Sequence, residues 1–332
     1  MLLAYQIASN IQIRTIRVRL LVILIALGLG PLLAASTASV LLDLRRDTVL
    51  AENTVEAVTE LKKEQIRNWA LDLESDLNIL ESNPVFVTNV EFLTRFTPTE
   101  SFRQQTNEAI KLELENLVQS TQRYQAISVV SPEGMILVST DRQLEGISLT
   151  SNLNFTYGLN DIYFATPTID TAAREPAAEY FYPLKTSQGR TLLGVLYAKV
   201  DLSYLTQAAQ EAALQMGESG QAYLLSSQDQ LLTPLRNNPE ISIGSYSIGS
   251  EAIESAGRDI RSYETQTLQY ENFAGEPVIG SYTWIPEIKS SLVVEQTQFE
   301  AFQSLRLNLL LNATIAVIAL AVTTTIAIST AQ

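Results

Sequence analysis

Two uncharged apolar runs constrain this chain more than any other feature. Residues 20–42 read LLVILIALGLGPLLAASTASVLL and residues 307–329 read LNLLLNATIAVIALAVTTTIAIS, 23 residues each. At 1.5 Å per residue each helix is about 35 Å long, enough for a hydrocarbon core of about 30 Å. Both are read as membrane spans. Ala34-Ala35-Ser36 offers a competing signal-peptidase site. The first run is longer than an ordinary signal core and a second run follows, so an uncleaved anchor is the preferred reading. Pro31 and its glycine neighbours predict a kink. Asn308 and Asn312 fall on one helical face, placed either for a bond to a partner helix or at the headgroups.

Charge sets the orientation. Arg14, Arg17 and Arg19 precede the first run without an acidic residue, which places the N-terminus in the cytoplasm. Arg45 and Arg46 flank the other side, but Asp43 and Asp47 accompany them. The chain then has a cytoplasmic segment 1–19, spans at 20–42 and 307–329, and a periplasmic or extracellular body between them. The whole chain carries a net charge of −14, and with +3 before the first run and none from 307 onward, about −17 of it resides in that body. A surface so acidic repels phosphate backbones, so nucleic acid is excluded as a partner. The 332 residues contain no cysteine and no histidine. Thiol and imidazole catalysis and the common zinc, copper and haem sites are thereby removed. No DxDxDG loop suggests calcium, so neither cofactor nor metal is expected.

Periodicity divides the body. Val55, Val58, Lys62, Ile66, Trp69, Leu73, Leu77 and Leu80 recur every three or four residues, predicting a helix over 47–81 about 50 Å long. Lys62 is the one charged member of that stripe. Asn83-Pro84 breaks the helix, and a second is expected over 100–123. The period then falls to two. Strands are predicted at 125–131 and 135–139 around the turn Pro132-Glu133-Gly134, then at 179–184 and 191–200 around Ser187-Gln188-Gly189. A helix follows over 202–215. Strands recur at 221–226, 231–234, 268–273, 278–283 and 291–295. The repetition of hairpin, irregular region and hairpin predicts an α+β fold. It consists of a stalk helix (43–82) and two tandem antiparallel-sheet modules, membrane-distal (83–215) and membrane-proximal (216–303). The stalk helix is expected to bury its stripe against both.

Four stretches resemble the double Cache (dCache) sensor domains of bacterial chemoreceptors and sensor histidine kinases. They are Ser131-Pro-Glu-Gly-Met-Ile-Leu-Val-Ser-Thr-Asp141 with Leu144-Glu-Gly146, and Gly194-Val-Leu-Tyr-Ala-Lys-Val-Asp201. The others are Gly217-Glu-Ser-Gly220-Gln-Ala-Tyr223-Leu-Leu, and Tyr270–Thr283 followed by Ser291-Leu-Val-Val-Glu295. The likeness covers about 43–303. It implies a PAS-like fold used twice, a small-molecule pocket in the distal module, parallel homodimerisation along the stalk, and a signal passed to the membrane helices.

One branch of that family holds amino acids with R-x-W-Y, Y-x-D and a final Asp. The matching positions here are Asn152-Leu153-Asn154-Phe155, Thr168-Ile169-Asp170 and Asp201. Asn152 stands where the arginine clamp would be. The resemblance therefore implies an amine, another cation or a neutral solute rather than a plain amino acid. Asp170 and Asp201, with Tyr157, Tyr163, Tyr180 and Tyr182, would make an anionic aromatic pocket. Simpler readings stand beside this one. Asp201 is placed to cap a helix, Asp170 to sit in a solvated loop, and Tyr180 and Tyr182 to pack within a sheet. Arg174 is the cation nearest the region, as a substitute clamp or as surface. An enzyme is disfavoured: there is no histidine and no GxSxG motif, and Glu179, Asp170 and Asp201 are the carboxylates that could in principle do acid–base work. The expected role is the input half of a longer receptor, joined to a cytoplasmic signalling domain. The alternative is a stand-alone membrane-anchored binding protein acting through a partner transducer.

Overall fold

The structure is a computed structural model that describes residues 16–331 except 97–98, 171–174, 187–190 and 247–259. Arg14, Arg174 and the turn at 187–189 lie outside the described residues, as do the side chains of Arg17 and Arg19 and almost all of those of 20–42.

Helix α1 spans Ile16–Ser82. At the other end of the chain lies α7, Gln303–Ala331, preceded by the short α6, Gln298–Ala301. Residues up to Asn53 and from Gln298 onward form one compact unit, and Thr54–Thr297 form another. Within the first unit Ser304 Oγ donates to Asp47 at 3.2 Å. Leu307, Leu310, Val317 and Ile318 of α7 are exposed. Among the described residues no helix is long and apolar enough to cross a membrane.

The unit 54–297 is built on α1's apolar stripe. Val55, Ile66, Trp69, Leu73, Leu77 and Leu80 are all buried, as the period of three to four requires; Val58 is only half-buried and Thr59 is buried beside it. Asn83 ends α1 and begins α2, Pro84–Arg95, by accepting from the Val85 and Phe86 amides. Asparagine as N-cap followed by proline at the first helical position is a start signal as well as a stop. Helix α3, Glu100–Thr121, packs against α2.

Two antiparallel sheets follow. The first holds β1 (Tyr124–Val130), β2 (Ile136–Ser139), β3 (Tyr163–Phe164), β4 (Thr168–Asp170), β5 (Glu175–Lys185) and β6 (Leu192–Val200). Their order is β2-β1-β6-β5-β3, with β4 also on β5. Helix α4, Leu153–Gly158, lies between β2 and β3 in sequence, and α5, Ser203–Gln215, leaves the sheet. The second sheet holds β7 (Gln221–Ser226), β8 (Gln266–Glu271), β9 (Pro277–Ile285) and β10 (Ser290–Thr297), in the order β7-β10-β9-β8. The strand expected at 231–234 is reduced to one bridge, Leu231 to Leu225, because Pro234 has no amide to extend the ladder.

Helix α1 bonds to both sheets. Tyr124 Oη donates to the Leu73 carbonyl at 3.0 Å, and Arg123 pairs with Asp72 and Asp76 at 2.8 Å. Further toward its N-terminus, Arg67 meets Glu287 at 3.0 Å and Thr265 donates to Glu60. Lys62, 2 % exposed, meets Glu211 of α5 at 2.7 Å.

Candidate ligand-binding site

A cavity of about 480 Å³ opens on the face of the first sheet turned away from α1. Its floor is β5 and β6, which present Glu179, Tyr197 and Lys199. Glu179 and Lys199 are directly paired across the two strands. Gln125 of β1 joins them because the register slips between Tyr124 and Ala126, an irregularity that aims the extra side chain at the cavity. Ile136, Leu144, Ile147 and Leu149 form an apolar wall. The segment 165–170 forms the opposite wall, with Thr166, Thr168, Ile169 and Asp170. The turn that carries Ile136 is tight: Gly134 has φ +86°, and an added Cβ would lie 3.0 Å from Thr150.

Glu179 is the organised group of this site. Asn152 Nδ2 donates to its two oxygens at 3.2 and 3.4 Å, and Asn154 Nδ2 to Oε2 at 3.2 Å. Tyr197 Oη donates to Oε1 at 3.0 Å. The Tyr197 hydroxyl is held above its ordinary pKa by burial and then by the Glu179 charge, so it stays a donor. The two asparagines can reach Glu179 because Asn152 caps α4, accepting from the Asn154 amide at 2.9 Å. The result is a carboxylate fixed in position by neutral donors, with Asp170 across the cavity and Lys199 beside it.

The residues expected from sequence separate into groups. Asn154 and Asp170 line the cavity, and Asn152 stands behind Glu179. Phe155 is in the sheet's core with Val130, Phe181 and Val195. Tyr157 is 48 % exposed and packs against Tyr163, whose ring lies under the Lys289 ammonium at 3.7 Å. Tyr180 and Tyr182 point to the other face. Tyr182 Oη donates to Glu81 of α1 at 2.6 Å, and burial followed by that bond raises its pKa. Tyr180 is buried on the same side, its pKa also raised by burial. Side chains two apart on a strand share a face, so both tyrosines are corrected out of the cavity together. Asp201 stands just before the N-cap Leu202 of α5: it accepts from the Ser203 amide at 2.8 Å and is absent from the cavity lining. Glu179, Tyr197 and Lys199 line the cavity although the sequence reading does not place them there. The available signal was alternation, which puts Glu179 opposite Tyr180 and Tyr182.

The cavity wall also touches the second sheet. Ser227 Oγ donates to Thr166 Oγ1 at 3.3 Å, and Gly244 lies against Ile169, with room for an added Cβ only at 3.2 Å. Lys289, at φ +49° in the turn before β10, covers Tyr163.

The sequence matches the Cache domain family (dCache_1) over residues 49–305. Among solved structures, the ligand-binding domain of the Campylobacter jejuni chemoreceptor Tlp3 in complex with 4-methylisoleucine is 13 % identical, with TM-score 0.56, covering 76 % of this chain and 92 % of that one. The ligand-binding domain of the Pseudomonas aeruginosa PAO1 amino-acid chemoreceptor PctC in complex with GABA is 17 % identical, with TM-score 0.50, covering 74 % and 99 %. The extracellular domain rpHK1S-Z16, assigned to a histidine kinase, is 14 % identical, with TM-score 0.52, covering 78 % and 98 %. No curated protein matches the chain significantly.

Proposed function

Because the chain belongs to the Cache domain family, we propose that it is the extracytoplasmic sensing part of a membrane receptor of the chemoreceptor or sensor-kinase kind. Cache domains sense ligands and are not catalytic. The reading divides the body into a stalk helix (43–82), a distal module (83–215) carrying the cavity and a proximal module (216–303). Runs 20–42 and 307–329 cross the membrane, and the body lies outside. The exposed apolar side chains of α7 support insertion, since water-facing patches of that size are rare. Leu61 and Ile79, both exposed, lie 18 residues and five full turns apart on one line of α1, which supports a parallel homodimer along it. Output passes to a cytoplasmic signalling domain or, in the alternative reading, to a partner transducer.

The observation that carries the ligand class is Glu179, held by two amides and a phenol in a cavity with an apolar wall. A fixed carboxylate there favours an ammonium-bearing solute. Lys199 supports a second reading, a solute with an anionic end as well; it stands as a cation where Asn152 provides none. Titration calorimetry of the full chain in lipid nanodiscs decides among them, using panels of primary amines, amino acids and neutral amides. Amines are expected to bind and Glu179→Gln to weaken them by well over tenfold, as for loss of one partner of a desolvated charge pair. Lys199→Met should abolish amino-acid binding and spare amines. Binding confined to neutral amides, or unaffected by Glu179→Gln, would sink the assignment.

A further inference from the structure

The second sheet contains a carboxyl group that the distal cavity does not use. Glu295 lies on β10 and is 1 % exposed. Its neighbours across the ladder are Gln221 of β7 and Gly280 of β9. Tyr223 Oη donates to Glu295 Oε1 at 2.8 Å, and Tyr270 Oη donates to the same oxygen at 2.5 Å. Both tyrosines belong to an apolar cluster with Leu225, Val278 and Val293. Oε2 is equally buried and has no hydrogen-bond partner. The surroundings are shaped for this contact. Tyr270 lies over the β9 backbone, where a Cβ on Gly280 would come 2.4 Å from its hydroxyl.

Two donors on one oxygen and none on the other is a poor solvation shell for an anion. An ionised carboxylate accepts on both oxygens and is costly to bury with one bare. A neutral acid needs much less. The titratable and charged groups facing Glu295 are Tyr223 from β7, Tyr270 from β8, Tyr282 from β9 and Glu276 from the β8–β9 turn; Asn272 of that turn is the remaining polar neighbour. Among the described residues no lysine or arginine is in this set.

We propose that Glu295 is a proton-binding site, through which the membrane-proximal sheet reads the acidity of the medium independently of the solute in the distal cavity. Loss of the proton leaves a bare anion in the core and loosens the β7–β10 pairing around it. Uptake of the proton closes it. β10 continues covalently into α6 and α7, so the strand that carries the proton precedes the apolar helix directly.

Burial is the largest influence on Glu295 and holds its pKa above the ordinary carboxylate value, with Glu276 acting in the same direction; the bonds from Tyr270 and Tyr223 and the nearby Asn272 amide oppose it. The raised value fixes the sign. The contribution to stability is complete at acidic pH and is lost as pH rises through the folded-state pKa.

The test uses the full chain in lipid nanodiscs, titrated from acid to alkaline pH. Infrared difference spectra report the protonated carboxyl, and hydrogen exchange reports the β7 and β10 amides. A carboxyl band should titrate above the ordinary carboxylate range and vanish in Glu295→Gln. Exchange at β7 and β10 should rise with pH in the parent and stay flat in Glu295→Gln. Tyr223→Phe, which removes a donor favouring the anion, should move the midpoint to higher pH. That last measurement decides the matter alone if Glu295→Gln does not fold. Three outcomes overturn the proposal: no band at any pH, a band that persists to the alkaline end, or a Tyr223→Phe midpoint that is unmoved or lowered.

Discussion

Lys62 is a lysine in a position that the helix period reserves for a leucine. Its methylenes complete the stripe and its ammonium reaches Glu211, which is itself exposed to solvent. The Lys62 hydrogen bond is the largest of the influences that lower the Glu211 pKa. A lowered carboxylate contributes stability above its unfolded pKa and loses it as pH falls through the folded value. Thermal melts of the parent should therefore drop at acid pH, where Lys62 becomes a buried cation without a counterion, and Lys62→Met should melt with a flatter acid limb. Gly280→Ala should destabilise by about 1–3 kcal/mol in chemical denaturation, the usual cost of forcing a methyl group into a filled space, because Tyr270 must move. At this scale the sequence was legible where one residue broke a pattern, as Lys62 does. Glu179 broke none. β5 is buried on both faces along most of its length, so alternation separates Glu179 from Tyr180 and Tyr182 without saying which set faces a cavity. The amides of Asn152 and Asn154 turn toward Glu179, a contact 27 and 25 residues away that no local pattern encodes.

Among elements, α1 bonds to both sheets and β10 leads into α6 and α7. Leu77→Ala, at a fully buried position of α1, should cost about 2–5 kcal/mol and lower the unfolding midpoint accordingly. The segment 163–169 is both cavity wall and neighbour of the second sheet, so its displacement by a solute is expected to reach β10 through Lys289. Lys289→Ala should leave solute affinity within a few-fold while erasing any solute-induced change in hydrogen exchange over 290–297. A persisting change would assign the coupling to α1 instead. Most strands and helices of the body were legible because period two and period 3.6 are each set by burial on one side. Helix α2 was missed because Asn83-Pro84 signals both an end and a beginning, and only the burial of Phe86, Val87 and Val90 distinguishes them. The strand at 231–234 was over-read, since a short apolar run gives no count of ladder bonds.

For the whole molecule, the acidic body and the uncharged run 307–329 set the expected handling. The full chain should sediment with membranes, resist alkaline extraction and require detergent, while residues 54–297 expressed alone should remain in solution at high concentration. The order of the second sheet has a further consequence. Among the described residues β7 pairs with no strand except β10, and their Tyr223–Glu295 pair spans 72 residues. The first sheet completes its own ladder by Val200. On a ribosome adding about 5–20 residues per second, β7 waits roughly 4–14 s after its synthesis for the strand that covers it. During synthesis the first sheet can thus be finished while β7 is still an unpaired edge, and that interval is when a chaperone, a protease or a neighbouring nascent chain has its opportunity.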